Sequence, residues 1–202
     1  MPFLFADVLA VPRDGFYAVY AVVVVAFVAL WARSTGQSPV AMARRRLPLA
    51  LALGAVFAGI VALIVLRTED ATARPDGLEL VGAVVWRGLV YGFADGLLLS
   101  AFPILAVFAM FAGTRMRQRV AGTIAVGLVA LLASLAMTAV YHAGYSQFRS
   151  EEMRKPLSGA VVWGAPTLLT LNPLGAPVVH MTMHTTAVLH SYETDTYLPP
   201  HE

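Results

Sequence analysis

The chain has no cysteine and little charge, and each shortage excludes a class of protein. Without cysteine it can form neither disulfides nor zinc-thiolate or iron–sulfur sites. Only 13% of its 202 residues are charged, whereas 58% are hydrophobic and the mean hydropathy is +0.72. Soluble globular domains carry about 25% charged residues. The composition therefore predicts an integral membrane protein, and the length fits a single membrane domain with short loops.

Other missing features narrow the possible partners. The sequence has no Gly-rich phosphate loop and no nucleic-acid-binding motif, so we expect the lipid bilayer as its surroundings and no nucleic acid as its partner. Its first fifteen residues lack the basic start of a secretory signal, and Asp7 and Pro12 interrupt their apolar stretch. We expect a short interfacial segment there. Phe16, Tyr17 and Tyr20 follow at the start of the first apolar run, as in an aromatic interface belt.

The apolar runs predict an all-α, polytopic helical bundle of about six transmembrane helices, at residues 16–32, 47–66, 80–113, 120–142, 159–171 and 174–190. The third run would form a helix of roughly 50 Å, longer than a hydrocarbon core of about 30 Å. We therefore expect it to cross once, tilted or broken between Gly96 and Pro103. The last apolar stretch is interrupted between Asn172 and Pro177, which favours a hairpin of two short helices over a single crossing. Asn172 could also cap the second helix.

Arginine is unevenly distributed between the predicted loops. Residues 33–46 and 114–119 together contain seven arginines and no acidic residue. Because cytoplasmic loops carry an excess of basic residues, both loops are predicted to be cytoplasmic, in a bacterial-type inner or plasma membrane. His190, His201 and the acidic tail are then expected to be exposed on the opposite side, the tail acids being Glu193, Asp195 and Glu202.

Two histidines in the last apolar run are the strongest chemical signal. His180 and His184 lie one helical turn apart in the sequence VVHMTMHTTAVLH, which contains no charged residue. Polar groups inside a bilayer need partners. Counting residues places both Asp95 and His180 roughly 20 Å from the outer boundary, so they can meet. His142, near that boundary, could join them only if its helix sank or bent.

Several chemistries fit these residues. Two imidazoles and a carboxylate suit a divalent metal such as zinc, with His180, His184, His142 and Asp95 as candidate ligands. If the protein is catalytic, Asp95 is the candidate base for a metal-bound water. Alternatively, haem could be held between His142 and His184, or the histidines could simply bond to backbone carbonyls and threonines.

A second polar feature lies in the third run, where Arg87, Tyr91 and Asp95 are spaced four residues apart. Arg87 and Asp95 would be about 12 Å apart along the helix axis. They could form a neutralised structural pair through Tyr91 or water, or take part in function. Small residues elsewhere favour close helix packing, namely Gly54, Gly59, Gly88 and Gly92.

The order of these elements resembles a known family over residues 85–190. An acid-bearing span, a span ending in His and a late His-x-x-x-His are similar to the CAAX prenyl-protease and bacteriocin-processing intramembrane endopeptidases. In that family a Glu-Glu motif, a Phe-x-x-x-His motif and a His-x-x-x-Asn/Asp motif surround an activated water. By this resemblance His180 matches the first residue of the third motif, and His184 takes the place of its Asn or Asp.

The other two motifs match less completely. His142 would correspond to the histidine of the second motif, but Thr138 stands where phenylalanine is expected. Where the Glu-Glu motif belongs, the chain reads YGFADGLLLS, with Asp95 as its acidic residue. The resemblance thus implies a degenerate, non-proteolytic relative of the intramembrane metalloproteases.

Three functions follow as alternatives. In the first, the bundle holds a metal at the His/Asp site and acts, if it is an enzyme, on a peptide or lipid reached from the bilayer. In the second, the chain is a non-catalytic structural subunit of a larger membrane complex, and its polar residues fix helix contacts with other membrane subunits. In the third, it is a small transporter whose path is lined by Arg87, Asp95 and the broken helices.

Overall fold

A computed structural model describes residues 2–9, 11–194 and 196–198, the side chains of residues 6 and 7 excepted. The described part is all-helical and contains no strand, which confirms the predicted fold class. Besides short π and 3₁₀ turns it has seven helices, which we number α1 Arg13–Ser34, α2 Pro39–Arg44, α3 Leu47–Thr68, α4 Gly77–Met110, α5 Val120–His142, α6 Arg154–Thr170 and α7 Gly175–His190.

Four of these helices, α1, α3, α4 and α5, are long and apolar enough to cross a membrane. Their outward faces expose large apolar side chains such as Val22, Leu30, Leu63 and Leu132. Soluble monomers rarely expose apolar surface on this scale, so the helices indicate association with a membrane. Helices α6 and α7 are shorter, at 17 and 16 residues. The count of six spans therefore stays a prediction.

Helix α4 does not break where the sequence suggested. Its 34 residues are continuously helical, with π-helical windings at Val84–Tyr91 and Gly96–Ala101. Pro103 lies just after the second winding and removes one N–H from the helix without interrupting it. Between Gly96 and Pro103 the helix therefore contains a π-helical turn, which accommodates an extra residue, instead of the expected break. Asp95 lies directly before the second winding, and such irregular turns are frequent at functional sites.

The last apolar stretch folds back on itself. Leu171, with a left-handed φ of 55°, ends α6, and α7 begins four residues later. Helix α7 then runs antiparallel to α6, with Gly175 packed against Pro166 and the His180 ring 4.8 Å from the Trp163 ring. The predicted hairpin is present as a fold. Its crossing of a membrane stays a prediction.

Asn172 holds the turn of this hairpin in place. Its Nδ2 donates to the backbone oxygens of Ala43 and Arg45, at 2.7 and 2.6 Å. Its Oδ1 accepts from the backbone N–H of Leu174, at 2.9 Å, one residue before α7 begins. The side chain therefore serves the start of the second helix, as expected, and also ties the turn to the loop between α2 and α3.

A glycine stripe on α4 lets α7 approach unusually closely. Gly88, Gly92 and Gly96 are spaced four residues apart and face α7. A Cβ atom at Gly92 would lie 2.8 Å from the Cα atom of Met181, and one at Gly96 would lie 2.6 Å from the Cα atom of Pro177. Side chains larger than hydrogen would push the two backbones apart. The stripe thus sets the distance between the helix that carries Asp95 and the helix that carries the histidines.

Helix α3 packs along another side of α7. A Cβ atom at Gly54 would lie 3.2 Å from Val178, whereas one at Gly59 would have no described atom within 4 Å. Val61 and Val65 of α3 share a buried apolar cluster with residues of α6 and α7. With α3, α4 and α6 all against it, α7 is the central helix, and this position accounts for the burial of its histidines.

The C-terminal end of α7 meets the loop between α3 and α4. His190 Nε2 donates to the backbone oxygen of Glu69 at 3.0 Å, and the His190 backbone oxygen accepts from the N–H of Thr72 at 2.9 Å. His190 is therefore half-buried, in contrast to its predicted exposure, because this loop covers it. His201, Asp195 and Glu202 lie outside the described residues.

Candidate metal centre

Asp95, His180 and His184 converge in the buried interior, as their depths predicted. Asp95 Oδ2 lies 3.2 Å from His180 Nδ1 and 3.5 Å from His184 Nε2. The three candidate ligand atoms all lie within 4.8 Å of one another, and the exposed fraction of each residue is 4% or less. One helical turn separates the two imidazoles, and the glycine stripe brings α4 close enough for the carboxylate to reach both. This buried group could hold a metal ion.

The other nitrogen of each imidazole already has a neighbour. His184 Nδ1 lies 2.6 Å from the backbone oxygen of Tyr197, and His180 Nε2 lies 3.4 Å from Ser100 Oγ. Because a carbonyl oxygen can only accept, His184 Nδ1 must carry the proton in this contact. The Nε2 of a neutral His184 then presents a lone pair. Metal-ligating histidines are commonly oriented in this way.

The lone pair of His184 faces a carboxylate. Among the described residues neither His180 Nδ1 nor His184 Nε2 has an aligned hydrogen-bond partner, despite their closeness to Asp95. A lone pair and an anionic oxygen repel each other, most strongly where water is excluded. The arrangement is satisfied only when a proton or a metal cation lies between the groups. This need for a positive charge between Asp95 and the imidazoles is the strongest indication of what the site binds.

Surrounding side chains hold the three groups in place. The Tyr20 hydroxyl donates to the second oxygen of Asp95, Oδ1, at 2.9 Å. The Trp163 ring packs edge-on against His180, and the Tyr91 ring does so against the other imidazole, with centroids 4.9 Å apart. Each candidate ligand is therefore confined from more than one direction.

The two distances from Asp95 to the imidazole nitrogens fit a small divalent ion. Ligand atoms about 2.0–2.1 Å from a tetrahedral ion lie about 3.3 Å from one another. The two nitrogen-to-oxygen distances, 3.2 and 3.5 Å, match that value. Two histidines and one carboxylate are a common donor set for catalytic zinc and for non-haem iron(II), and both leave coordination positions open.

A cavity of about 340 Å³ adjoins Asp95 and His184 and supplies the open side. Apolar residues of α3, α6 and α7 form much of its lining, and polar residues line it too, among them Thr68, Glu69, Lys155, Ser158, Thr196 and Tyr197. Lys155 Nζ lies 2.6 Å from the Glu152 carboxylate, which raises the pKa of Lys155 above its usual value and keeps the ammonium charged. The cavity thus combines polar side chains, one of them a charged ammonium, with two members of the buried ligand group.

His142 lines the same cavity but does not belong to the ligand group. It is the last residue of α5, and its Nδ1 donates to the backbone oxygen of Thr138 at 2.9 Å. Helix α5 ends too far from Asp95, His180 and His184 for this imidazole to join them. A haem between His142 and His184 does not fit well either, because Asp95 already lies 3.5 Å from the free nitrogen of His184.

Arg87 pairs with a different acid from the one predicted. Its guanidinium forms a bidentate ion pair with Asp14 of α1, at 2.9 and 2.8 Å, and packs over the Tyr192 ring. The proposed pair of Arg87 with Asp95 is thus corrected. The eight-residue separation along one helix was too long for direct contact, while a neighbouring helix brought a carboxylate alongside.

Three contacts of the site were missed from the sequence, those of Tyr20, Ser100 and the Tyr197 backbone. Tyr20 was assigned to an interface belt, yet it is 1% exposed and belongs to a buried aromatic cluster with Phe16, Tyr17 and Tyr91. No spacing rule relates Tyr20 to Asp95 across 75 residues. A buried carboxylate that needs a hydrogen-bond donor was the one available signal.

Comparison with known proteins gives no further guide, because no family model, curated protein or solved structure matches this chain. The fold and the site define the class on their own. The chain is a helical, membrane-associated protein with a buried Asp/His/His group that could hold a metal. The resemblance to the intramembrane endopeptidases stays a prediction from the residues.

Proposed function

We propose that this protein is a polytopic membrane protein that binds one divalent transition metal, such as zinc or iron(II), through Asp95, His180 and His184. The proposal rests on how the two nitrogens of the His184 ring are used. Its Nδ1 donates to a carbonyl, so the Nε2 of a neutral His184 ring faces Asp95 with a lone pair. A cation between Asp95 and the two imidazoles relieves the repulsion and gives both His180 Nδ1 and His184 Nε2 a partner.

The cavity beside the ligands offers room for a metal-bound water and a substrate. A divalent ion held there would lower the pKa of a bound water toward neutrality and so supply a nucleophile. Asp95 is a ligand in this arrangement, and Tyr20 occupies its other oxygen, so it is poorly placed to act as the base. His142 is better placed, because it lines the cavity and its Nδ1 donates to Thr138, which leaves Nε2 as the acceptor of a neutral ring. The substrate would be a peptide or lipid that enters from the membrane.

This proposal is compatible with a degenerate relative of the intramembrane metalloproteases. His142 and His184, from two predicted motifs, line one cavity, and His180 lies with His184 and Asp95 in the buried ligand group. The two arginine-rich loops, residues 33–46 and 114–119, would face the cytoplasm. A structural subunit that uses the same residues as interhelical contacts is the competing function, and metal content distinguishes the two.

Metal analysis of the purified protein tests the proposal. The chain is extracted from membranes in detergent without chelator, and bound metals are quantified by mass spectrometry. We expect about one transition metal per chain, lost in His180→Ala and retained in His190→Ala, a control on the same helix. An absorption spectrum is recorded in parallel.

Two results would overturn the proposal. One is a wild-type protein that stays metal-free and also fails to take up zinc, iron(II) or cobalt(II) when these are supplied; this outcome favours the structural function. The other is an unchanged metal content in His180→Ala. A Soret band would replace the proposal with a haem protein.

A further inference from the structure

We propose that Tyr20 is a positioning residue that fixes how Asp95 binds the metal. By donating to Oδ1, it holds the carboxylate so that a single oxygen, Oδ2, serves as the ligand. The inference rests on the proposed metal site and adds a residue from α1, a helix that contributes no ligand.

The two oxygens of Asp95 are clearly divided between different partners. Oδ1 accepts from the Tyr20 hydroxyl at 2.9 Å, while Oδ2 faces the two imidazoles at 3.2 and 3.5 Å. The terminal torsion of an aspartate is otherwise soft, because its preferences are broad. The hydrogen bond therefore selects one rotation of the carboxylate from a wide range. A carboxylate held in one rotation binds the metal through one oxygen and does not switch to binding through both.

Tyr20 is itself rigidly held. Its ring stacks on Phe16 at 5.6 Å with an interplanar angle of 19°, and it packs at a tilt against Tyr91 and Tyr141, at 5.5 and 5.4 Å. The residue is 1% exposed. A phenol has only two side-chain torsions, and these neighbours restrict both. The hydroxyl can leave Asp95 only if the aromatic cluster repacks.

Helix α1 is also aligned with α4 at two further points. Asp14 pairs with Arg87 six residues before Tyr20, and the Phe27 ring packs edge-on against Phe102, with centroids 4.8 Å apart. Residue numbers rise together along both helices, so α1 and α4 run parallel. These contacts on either side of Tyr20 fix its height against Asp95. The first helix thus becomes part of the metal site through one hydroxyl.

The test compares Tyr20→Phe with Tyr141→Phe. Both variants lose one phenolic hydroxyl from the same buried cluster, but the Tyr141 hydroxyl bonds to Tyr91 and Tyr145 rather than to Asp95. Zinc affinity is measured by competition with a chromophoric chelator. We expect Tyr20→Phe to bind zinc roughly 10- to 100-fold more weakly, the usual effect of losing a partner of a ligand. Tyr141→Phe is expected to stay close to the wild type.

Cobalt(II) gives a readout that a loss of packing alone would not produce. In Tyr20→Phe the released carboxylate can offer both oxygens, so the visible bands of the cobalt protein should weaken and shift as the coordination number rises. In Tyr141→Phe the spectrum should match the wild type. Independently of any variant, the zinc-minus-apo infrared spectrum of the wild-type protein should show the wide carboxylate splitting of one-oxygen binding.

The outcomes separate this inference from the proposed function. A wild-type protein that binds no metal contradicts the metal site itself. If the wild type binds zinc but the two variants have equal affinities, whether high or low, Tyr20 has no positioning role. A narrow carboxylate splitting in the wild-type infrared spectrum would also overturn the inference, because it indicates binding through both oxygens.

Discussion

A single residue, His184, shows how a site can be chemically defined by one hydrogen bond. The imidazole could have presented either nitrogen to Asp95. The backbone oxygen of Tyr197, 2.6 Å from Nδ1, makes Nδ1 the donor, because a carbonyl oxygen can only accept a hydrogen bond. The residue spacing predicted the face of the helix, and the segment that follows α7 decided which nitrogen donates to the backbone.

Ser100 supports the other imidazole, and its contribution can be measured. Its hydroxyl lies 3.4 Å from His180 Nε2, at the long end of hydrogen-bond distances. We expect Ser100→Ala to weaken zinc binding by about 10-fold, the lower end of the range for partners of metal ligands, and to change stability little.

The control for this change is Ser134→Ala. Ser134 is equally buried, but it donates to the backbone oxygen of Leu99 at 2.7 Å and contacts no ligand. Its replacement should lower the free energy of unfolding by about 1 kcal/mol and leave zinc affinity unchanged. Equal zinc affinities for the two serine variants would contradict the role of Ser100.

Among the residues of the site, spacing and depth identified Asp95, His180 and His184 from the sequence alone. They could be found because ionisable groups within apolar runs are rare and must meet one another. The same reasoning failed for Arg87, since its partner Asp14 lies at a helix end near the surface and gave no signal. Tyr20 and Ser100 could not be found, because ordinary aromatic and small residues are common in membrane helices.

At the scale of the helices, the distance between α4 and α7 governs the site. The backbones come together along Gly88, Gly92 and Gly96, and the ligands lie beside this contact. The sequence predicted close packing at the first two of these glycines. It did not show that α7 was the partner, because a small residue indicates close helix packing but not which helix packs there.

Gly92→Ala tests this control directly. The added Cβ atom would lie 2.8 Å from the Met181 Cα atom and 3.0 Å from the His180 backbone oxygen, so the helices must separate. Overpacking of this kind typically costs about 1–3 kcal/mol, and we expect a matching loss of thermal stability. Zinc affinity should also fall, because α7 carries both histidines.

Gly82→Ala is the matched control on the same helix. Among the described residues, a Cβ atom at Gly82 meets no atom within 4 Å, so the change should be neutral or slightly stabilising, as alanine favours the helix. If Gly92→Ala retained the affinity and melting temperature of Gly82→Ala, the glycine stripe would not control the site.

At the scale of the whole molecule, the loops fall at two ends with different charge. Asn172 joins the hairpin turn to the arginine-rich loop between α1 and α3, while His190 joins the end of α7 to the loop after α3. The first end contains basic residues without acidic ones in loops 33–46 and 114–119. The positive-inside tendency then predicts which end faces the cytoplasm.

Introduced cysteines test this orientation, since the chain has none of its own. Gln118→Cys and Asp70→Cys place single thiols at exposed positions in loops of opposite predicted sides. In intact cells a membrane-impermeant maleimide should label Asp70→Cys and spare Gln118→Cys, and both should react after the membrane is opened. Labelling of Gln118→Cys alone in intact cells would reverse the orientation.

The sequence by itself determined the membrane-associated helical class and the four long apolar helices, and it placed one acid and a histidine pair at similar predicted depths. These depend on hydrophobicity, helical period and the cost of burying charge, all of which are local properties of the chain. The tertiary structure alone decided the continuous winding of α4, the partner of Arg87, the exclusion of His142 from the ligand group and the contact of Tyr20 with Asp95. Each of these depends on which helices are neighbours and at what height, and residues far apart in sequence carry no local record of that choice.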